Sequence, residues 1–384
     1  MNGVKPDFLK VDFAQSPFIV IWELTQACDL ACVHCRAAAQ PHRNPLELST
    51  KEGFDLIDQI CEFGKPLLVF TGGDPIKRPD VYDLIAYANK RSLRVAMTPS
   101  GTPLMTKDVV QKLKDAGLSR LAVSLDGASA DLHDRFRRVP GSFGWTMNAI
   151  QYAHDAGLPV QINTTMTRYN FDDFPNLVQK MIDLKIVLWS VFFLVPTGRG
   201  HEEDMLTAQE YEWVLNRLNE VSQTVAFDIK TTAAPHYRRV VLQQAKTNGT
   251  LGDVKRGRNI GFHVGGDAIG RAAKGVNDGN GFVFVSHIGQ IFPSGFLPVS
   301  AGHVRKDRLV DVYRHSDLFC ALRDPDQLTG KCGLCEYKTV CGGCRARAYA
   351  VTGDYLAADP YCAYVPKRAE GQVVHENGKV MMAI

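Results

Sequence analysis

The sequence has no hydrophobic run long enough to cross a bilayer. Its longest apolar stretches, KIVLWSVFFLV from Lys185 and PLLVF from Pro66, fall far short of the ~20 residues a spanning helix needs. It also lacks a large charge of one sign. Forty-four Lys and Arg against 41 Asp and Glu leave +3 over 384 residues, and no basic run stands out, so there is no electrostatic case for nucleic acid or a membrane surface as partner. The opening MNGVKPDFLKVDFAQSPF has no charged-then-apolar layout of a signal peptide. Low-complexity tracts are missing too. These absences describe a cytoplasmic globular protein, a compartment where thiols stay reduced. Ten cysteines in such a chain, most of them clustered, point to metal rather than to disulfides.

What is present is an alternation of strand and helix patterns. Branched and aromatic runs at FIVIWEL, PLLVF, LRVAM, RLAVSL, VQINTT and VLWSVFFLV are each followed by an amphipathic segment up to about Val195. Ser49 or Thr50 is placed to cap the first helix, with Glu52 in its first turn, and Gly117 and Gly157 sit where helices should stop. Repeated βα units require a parallel sheet, and six units are too few for a closed eight-stranded barrel, so the expected fold class is α/β, a partial (βα)6 barrel. Beyond Pro196 the pattern changes. TAQEYEWVLNRLNEVSQ and APHYRRVVLQQAK read as helices, a glycine-rich stretch from Gly249 to Gly281 as a long loop, and GFVFVSHIGQIFPSG as a hairpin turning near Gly289. The expected division is 1–17 as a leading segment, 18–230 as the barrel, 231–281 as a connection, 282–366 as a cysteine-rich unit and 367–384 as a polar tail.

Cys28, Cys32 and Cys35 are spaced C-x3-C-x2-C directly after the first strand, at the sheet edge where such folds place their chemistry. Three thiolates on a four-iron cubane leave one iron open to a ligand. A zinc site completed by His34 or His42, or three structural thiols, would use the same residues. The loop resembles the signature of the radical S-adenosylmethionine (SAM) enzymes, with His34 where an aromatic residue often precedes the third cysteine. The resemblance implies that the open iron chelates SAM. It also implies that one electron, from a donor such as a flavodoxin or ferredoxin, cleaves SAM to a 5′-deoxyadenosyl radical that takes hydrogen from a substrate carbon.

Further stretches fit the same resemblance. TGGDP supplies Gly72, Gly73, Asp74 and Pro75, with Asp74 in place of the usual Glu, as the implied site for the SAM amino group. Ser124 and Asp126 in VSLDG, Arg137 in HDRFRRVPGSF, and Asn163 and Thr165 in INTTMT are the implied contacts to the SAM ribose and carboxylate. MTPSG departs from the family's Thr-Asn-Gly. Arg137 reads equally as a solvated residue of a basic turn.

Cys332, Cys335, Cys341 and Cys344 follow as C-x2-C-x5-C-x2-C, with Cys362 after seventeen more residues. Spacing alone also suits a zinc ribbon. Behind the first signature the module resembles the SPASM/twitch-like extension, which carries auxiliary 4Fe-4S clusters. Ser294 stands where a second auxiliary cluster would take a cysteine, so one auxiliary cluster is expected, with Cys332, Cys335, Cys341 and Cys362 as implied ligands and Cys344 as an alternative fourth ligand or a free thiol. The arginines of RARAYA either neutralise cluster charge or lie on a solvated helix face. Cys61 and Cys320 read as small buried hydrophobes at helical spacing. His263, His287 and His303 are open candidates for acid–base or ligand roles. CGGCRARAYAVTGD and FFLVPTGRG resemble radical SAM/SPASM proteins of haem and haem d1 biosynthesis, which implies a tetrapyrrole as small-molecule substrate. Maturases of ribosomally made peptides share the module, implying a peptide and a separate carrier. A non-catalytic iron–sulfur or zinc scaffold is the reading from another class.

Overall fold

The computed structural model describes residues 11–250 and 275–369, and the backbone of 373–376 and 379–382. His263 and most of the glycine-rich stretch lie outside the described residues. Seven strands, β1 (Ile19–Thr25), β2 (Leu67–Gly72), β3 (Arg94–Met97), β4 (Arg120–Ser124), β5 (Val160–Met166), β6 (Leu188–Phe193) and β7 (Asp228–Thr232), pair in chain order and in parallel. The sequence reading stopped at β6. β7 reads DIKTT, too short and polar to announce itself as a strand.

The sheet does not end at β1. β8 (Phe282–Val285) pairs in parallel with its other edge, and β9 (Gln290–Phe292) and β10 (Gly302–His303) continue it antiparallel. The sheet therefore runs across both expected boundaries, at 230/231 and at 281/282. The hairpin does turn at Gly289, which has φ 96°. β11 (Val373–Glu376) and β12 (Lys379–Met382) form a separate antiparallel pair inside the expected polar tail.

Helices α1 (Thr50–Cys61), α2 (Val81–Lys90), α3 (Lys107–Asp115), α4 (Ala130–Arg137), α5 (Ser142–Asp155) and α6 (Phe174–Asp183) follow β1 to β5. α7 (Ala208–Ser222) and α8 (His236–Thr247) flank β7. α1 starts at a capping box: the Glu52 amide donates to Ser49 Oγ (3.3 Å) and the Ser49 amide to Glu52 Oε2 (2.7 Å). Gly117 (φ 98°) and Gly157 (φ 66°) stand just past α3 and α5, in the left-handed conformation their termini need.

Strand side chains alternate between two environments. Val20, Trp22 and Leu24 of β1 bury against Leu56, Ile57 and Ile60 of α1, and equivalent positions along the sheet build one continuous core. Each such side chain contributes roughly 1.5–3 kcal/mol when fully buried. The other face lines a cavity. Its wall changes along the sheet, from Ile19, Ile21, Leu67, Val69 and Ala96 on β1–β3 to Arg120, Ser124, Gln161, Asn163, Thr165 and Lys230 on β4–β7. Among the described residues no helix is long and apolar enough to cross a membrane.

Candidate functional site

The cysteine loop leaves β1 at Thr25 and closes on itself. The Cys28 amide donates to Gln40 O (2.8 Å), and the Gln40 amide to Gln26 O (3.0 Å). It is clamped from two sides. Below, the amides of Gly73 and Asp74 donate to the carbonyls of Thr25 (2.7 Å) and Ala27 (2.6 Å). A Cβ on Gly73 would lie 2.4 Å from Ala27 O and 2.5 Å from Gln26 O, and one on Gly72 2.3 Å from Thr25 O. The paired glycines thus allow backbone to approach backbone. Above, the PTGRG turn sits on the loop. Gly198 (φ 62°) would drive a Cβ to 2.4 Å from Cys35 O, and Arg199 donates its amide to Cys35 O (3.0 Å) and its Nε to Cys32 O (3.0 Å).

Around the three sulfurs stand donors. Ser100 Oγ is 3.2 Å from Cys28 Sγ, the Leu30 amide 3.4 Å from the same sulfur, the Ala39 amide 3.4 Å from Cys35 Sγ, and Arg137 Nη1 3.5 Å from Cys32 Sγ. Such second-layer hydrogen bonds suit thiolates bound to iron. Among the described residues, no three Cys, His, Asp or Glu side chains are drawn in to the spacing of a single metal ion. Three thiols on one loop, open to a shared cavity and with N–H donors about them, are a ligand set that suits a cubane.

The cavity has a volume of about 1030 Å³ and is lined by Cys28, Cys32, Cys35, His34, Gly72, Gly73, Ser124, Arg137, Asn163 and Thr165, all singled out in the sequence. His34 Nδ1, His133 Nε2 and Arg137 Nε are buried in its wall without a hydrogen-bond partner. These are groups a bound ligand would satisfy. Burial, then the nearby Arg137 and Arg199 charges, hold the His34 imidazole well below its usual range, so it is neutral.

Three sequence candidates lie behind the wall. Asp74 is fully buried and accepts hydrogen bonds from the Ile76 amide (3.2 Å), the Ser100 amide (3.4 Å) and Thr102 Oγ1 (3.2 Å), while burial pushes it up to about 6. Pro75 starts the short 3-10 turn that Asp74 caps. Asp126, also fully buried, is ion-paired with Arg137 and accepts the Thr165 amide (2.8 Å). Arg137 is 8% exposed, not a solvated turn residue. Although burial works against its charge, Asp126 and Cys32 hold it firmly protonated. It ties the end of β4 to the cysteine loop.

Sequence reasoning missed Ser100, whose hydroxyl lies beside Cys28 Sγ and donates to Gly73 O (2.9 Å), and Arg36, which reaches Glu23 (2.6 Å) and lies 4.7 Å over Phe284. Ser100 sat inside the atypical MTPSG, the available signal. His287 bonds Glu23 Oε2 (2.9 Å) and Asn44 (3.3 Å), a buried brace between β1 and the hairpin, whereas His303 Nδ1 accepts the Arg305 amide (3.1 Å) at the surface.

The second cysteine group packs beside α8. Cys332, Cys335 and Cys341 all feel the charge of Cys362, and Cys335 and Cys341 that of Cys332. Burial pushes all three thiols up, Cys335 to about 11. Cys362 goes the other way, to about 7: burial pushes it up, but His236 together with the Lys331 and Arg239 charges outweighs that push. Cys344 belongs elsewhere. It is fully buried among Val195, Leu297, Leu322 and Ala346, its Sγ accepts the Arg347 amide (3.3 Å), and it caps the helix α9–α12 series at its last member, α12 (Arg345–Thr352), where α9 is Leu309–His315, α10 Asp317–Arg323 and α11 Gly330–Leu334. Both arginines of RARAYA are buried, so the solvated-face reading fails. Arg345 donates to Ala357 O (2.6 Å), Tyr355 O (3.0 Å) and Cys332 Sγ (3.6 Å), and Arg347 pairs with Asp359 (2.8 Å). Ser294 Oγ accepts the Phe296 amide (3.2 Å) and lines the main cavity. Cys61 is half-buried against the core, but Cys320 is exposed, its Sγ 3.5 Å from Arg314 O: the short α10 turns it outward.

Comparison with known proteins agrees with this geometry. Residues 22–181 match the Radical SAM superfamily. The chain is 43% identical over 356 residues to an AdoMet-dependent heme synthase of Methanosarcina barkeri, covering 93% of this chain and 99% of that one. It is 44% identical over 352 residues to one of Nitratidesulfovibrio vulgaris, covering 91% and 93%. The crystal structure of Streptococcus suis SuiB bound to S-adenosylmethionine superimposes with a TM-score of 0.68 at 16% identity, over 91% of this chain and 78% of that one, a likeness of fold. With a three-cysteine loop at the mouth of a partial barrel and full-length relatives of this kind, the chain belongs to the radical SAM superfamily, in its SPASM-bearing subgroup.

Proposed function

We propose that this radical SAM enzyme acts on a side-chain carbon of a tetrapyrrole. The observation that carries the reading is the cavity. Its volume of about 1030 Å³ lies at the top of the ~300–1,000 Å³ range of ligand pockets, with the cysteine loop at one rim and a cationic, polar wall opposite. The full-length likeness to AdoMet-dependent heme synthases supports the same substrate class.

In this reading Cys28, Cys32 and Cys35 hold the 4Fe-4S cluster that, with SAM, supplies the power to remove hydrogen from carbon. The chain's own residues do the rest. The Leu30 and Ala39 amides and Arg137 donate to the thiolates and spread their charge, and the Ser100 hydroxyl packs against Cys28 Sγ. The Gly72–Gly73 backbone, Ser124, Asn163, Thr165 and neutral His34 offer polar contacts to SAM. The apolar inner faces of β1–β3 exclude water from the reacting carbon. Cys332, Cys335, Cys341 and Cys362 hold one auxiliary 4Fe-4S cluster, with Arg345 beside Cys332. A flavodoxin- or ferredoxin-type donor in the cytoplasm supplies electrons.

Anaerobic reconstitution tests this. About eight irons per chain are expected from two four-iron clusters, with 5′-deoxyadenosine and a mass-shifted tetrapyrrole on adding SAM, dithionite and an iron porphyrin. Stoichiometric zinc without iron would leave only a scaffold. 5′-deoxyadenosine formation with every porphyrin recovered unchanged would reject the tetrapyrrole.

A further inference from the structure

The second cysteine group is surrounded by more positive charge than the acids around it match. Arg347 pairs with Asp359 (2.8 Å), and His236 Nε2 lies 3.3 Å from the same carboxylate. Arg239 meets Glu212 at 2.5 Å. Asp278 accepts the Ala346 amide (3.0 Å), and its charge falls on Cys344, which stands apart from the four implied ligands. Glu336, whose charge reaches Cys335, lies at the surface. Arg238 feels Cys341 from the cavity wall and is half-buried.

Lys331 and Arg345 are different. They are 2% and 1% exposed, and among the described residues neither meets a carboxylate. Lys331 Nζ donates to the Cys362 carbonyl. Arg345 directs its N–H groups to the carbonyls of Gly343 (3.3 Å), Tyr355 (3.0 Å) and Ala357 (2.6 Å) and to Cys332 Sγ (3.6 Å). The backbone is shaped for that last contact. Gly343 has φ 67°, and a Cβ there would lie 2.4 Å from Arg345 Nη2 and 3.0 Å from Cys332 Sγ. The second glycine of CGGC is what lets the guanidinium reach the sulfur. Amides complete the surroundings: Asp359 to Cys332 Sγ, Tyr337 to Cys335 Sγ and Gly343 to Cys341 Sγ, each at 3.4 Å.

A buried cation without an anion is strongly unfavourable. A four-iron cluster on four thiolates is an anion in both redox states and gains a further negative charge on reduction. Fixed positive charge and N–H donors at its sulfurs therefore favour the reduced form.

We propose that Lys331 and Arg345 are the built-in counter-charges of the auxiliary cluster and hold its reduction potential above the value the four thiolates alone would give. The inference rests on the reading that Cys332, Cys335, Cys341 and Cys362 hold that cluster. Neither cation lines the cavity, so both are positioning residues that act through the cluster.

The test is an EPR-monitored redox titration of the reconstituted full-length protein. The auxiliary signal is the one that added SAM leaves unchanged. Arg345→Met and Lys331→Met should each move the auxiliary reduction equilibrium tenfold or more toward the oxidised form, about 59 mV or more to lower potential for one electron, without moving the SAM-responsive signal. Arg345→Lys and Lys331→Arg, which keep the charge, should recover most of that shift. An unmoved auxiliary potential in either Met variant, at about eight irons per chain, overturns the proposal and leaves the cluster reading intact. Where a Met variant loads only about four irons, the charge-keeping variant at that position decides. Recovery of about eight irons supports the counter-charge, and continued loss overturns it in favour of packing. About four irons in wild type overturns the cluster reading and the proposal together.

Discussion

Cys344 and Cys362 show how far one residue type can be driven apart by its surroundings. Cys344 caps α12 and sits among aliphatic side chains, where burial lifts its thiol to about 12. Cys362 lies beside His236 and shares its field with Cys332, Cys335 and Cys341. The spacing in the sequence left both as candidate fourth ligands, because sequence distance says nothing about which side of a short loop a sulfur faces. Cys344→Ser, whose hydroxyl can still accept the Arg347 amide, should keep the wild-type iron content, while Cys362→Ser should lose about four irons per chain, the content of one cubane; iron and sulfide assays decide it. His133 gives a pH signature. Burial, with the Arg137 charge, holds it down to about 3, and its Nδ1 accepts the Asp126 amide (3.2 Å). The unfolded chain protonates near 6.5 and the native chain does not, so stability falls as pH drops from about 6.5 toward 3. By linkage this group should cost about 2 kcal/mol between pH 7 and pH 5. Denaturant midpoints at the two pH values should show that loss in wild type and not in His133→Gln.

Elements were legible where their signals are local. The cap of α1, the glycines after α3 and α5 and the branched and aromatic runs of β1 to β6 are all set within a few residues. β7 was not, because a five-residue polar strand facing a cavity has no apolar face on that side to reveal it. Its lysine carries the polarity that hid the strand. At α1 the cap is also a tertiary joint: Arg305 Nε meets Glu52 Oε1 at 2.5 Å, and that contact, outweighing a small push from burial, holds Glu52 at about 2. A depressed carboxylate stabilises above its unfolded pKa near 4.5, and that stability is lost as pH falls toward 2. Glu52→Gln preserves the capping box but not the charge. Both partners are about a third exposed, so solvent screening limits the cost to about 0.5–1 kcal/mol at pH 7 and close to none at pH 2.5, checked by chemical denaturation at both.

For the whole molecule the decisive pairing is β8 on β1. Val20–Val283, Ile21–Phe284 and Trp22–Val285 join segments more than 260 residues apart, so the cysteine-rich half is an extension of the barrel sheet and not a bead beside it. Hydrogen exchange should therefore place the β1 and β8 amides in one slowest-exchanging class; earlier release of β8 would mark an independently opening unit. From the sequence alone came the α/β class, the parallel order of six strands, the three-cysteine loop, the second cysteine group and a handful of the polar residues that line the cavity. Those follow from periodicity and from short spacings, which chemistry constrains locally. Tertiary structure decided the rest: the seventh strand, the joining of the two halves, the retreat of Asp74, Pro75 and Asp126 behind the wall and the separation of Cys344 from its neighbours. Each depends on which distant backbone closes over a side chain, and burial by distant segments leaves no local trace in the order of residues.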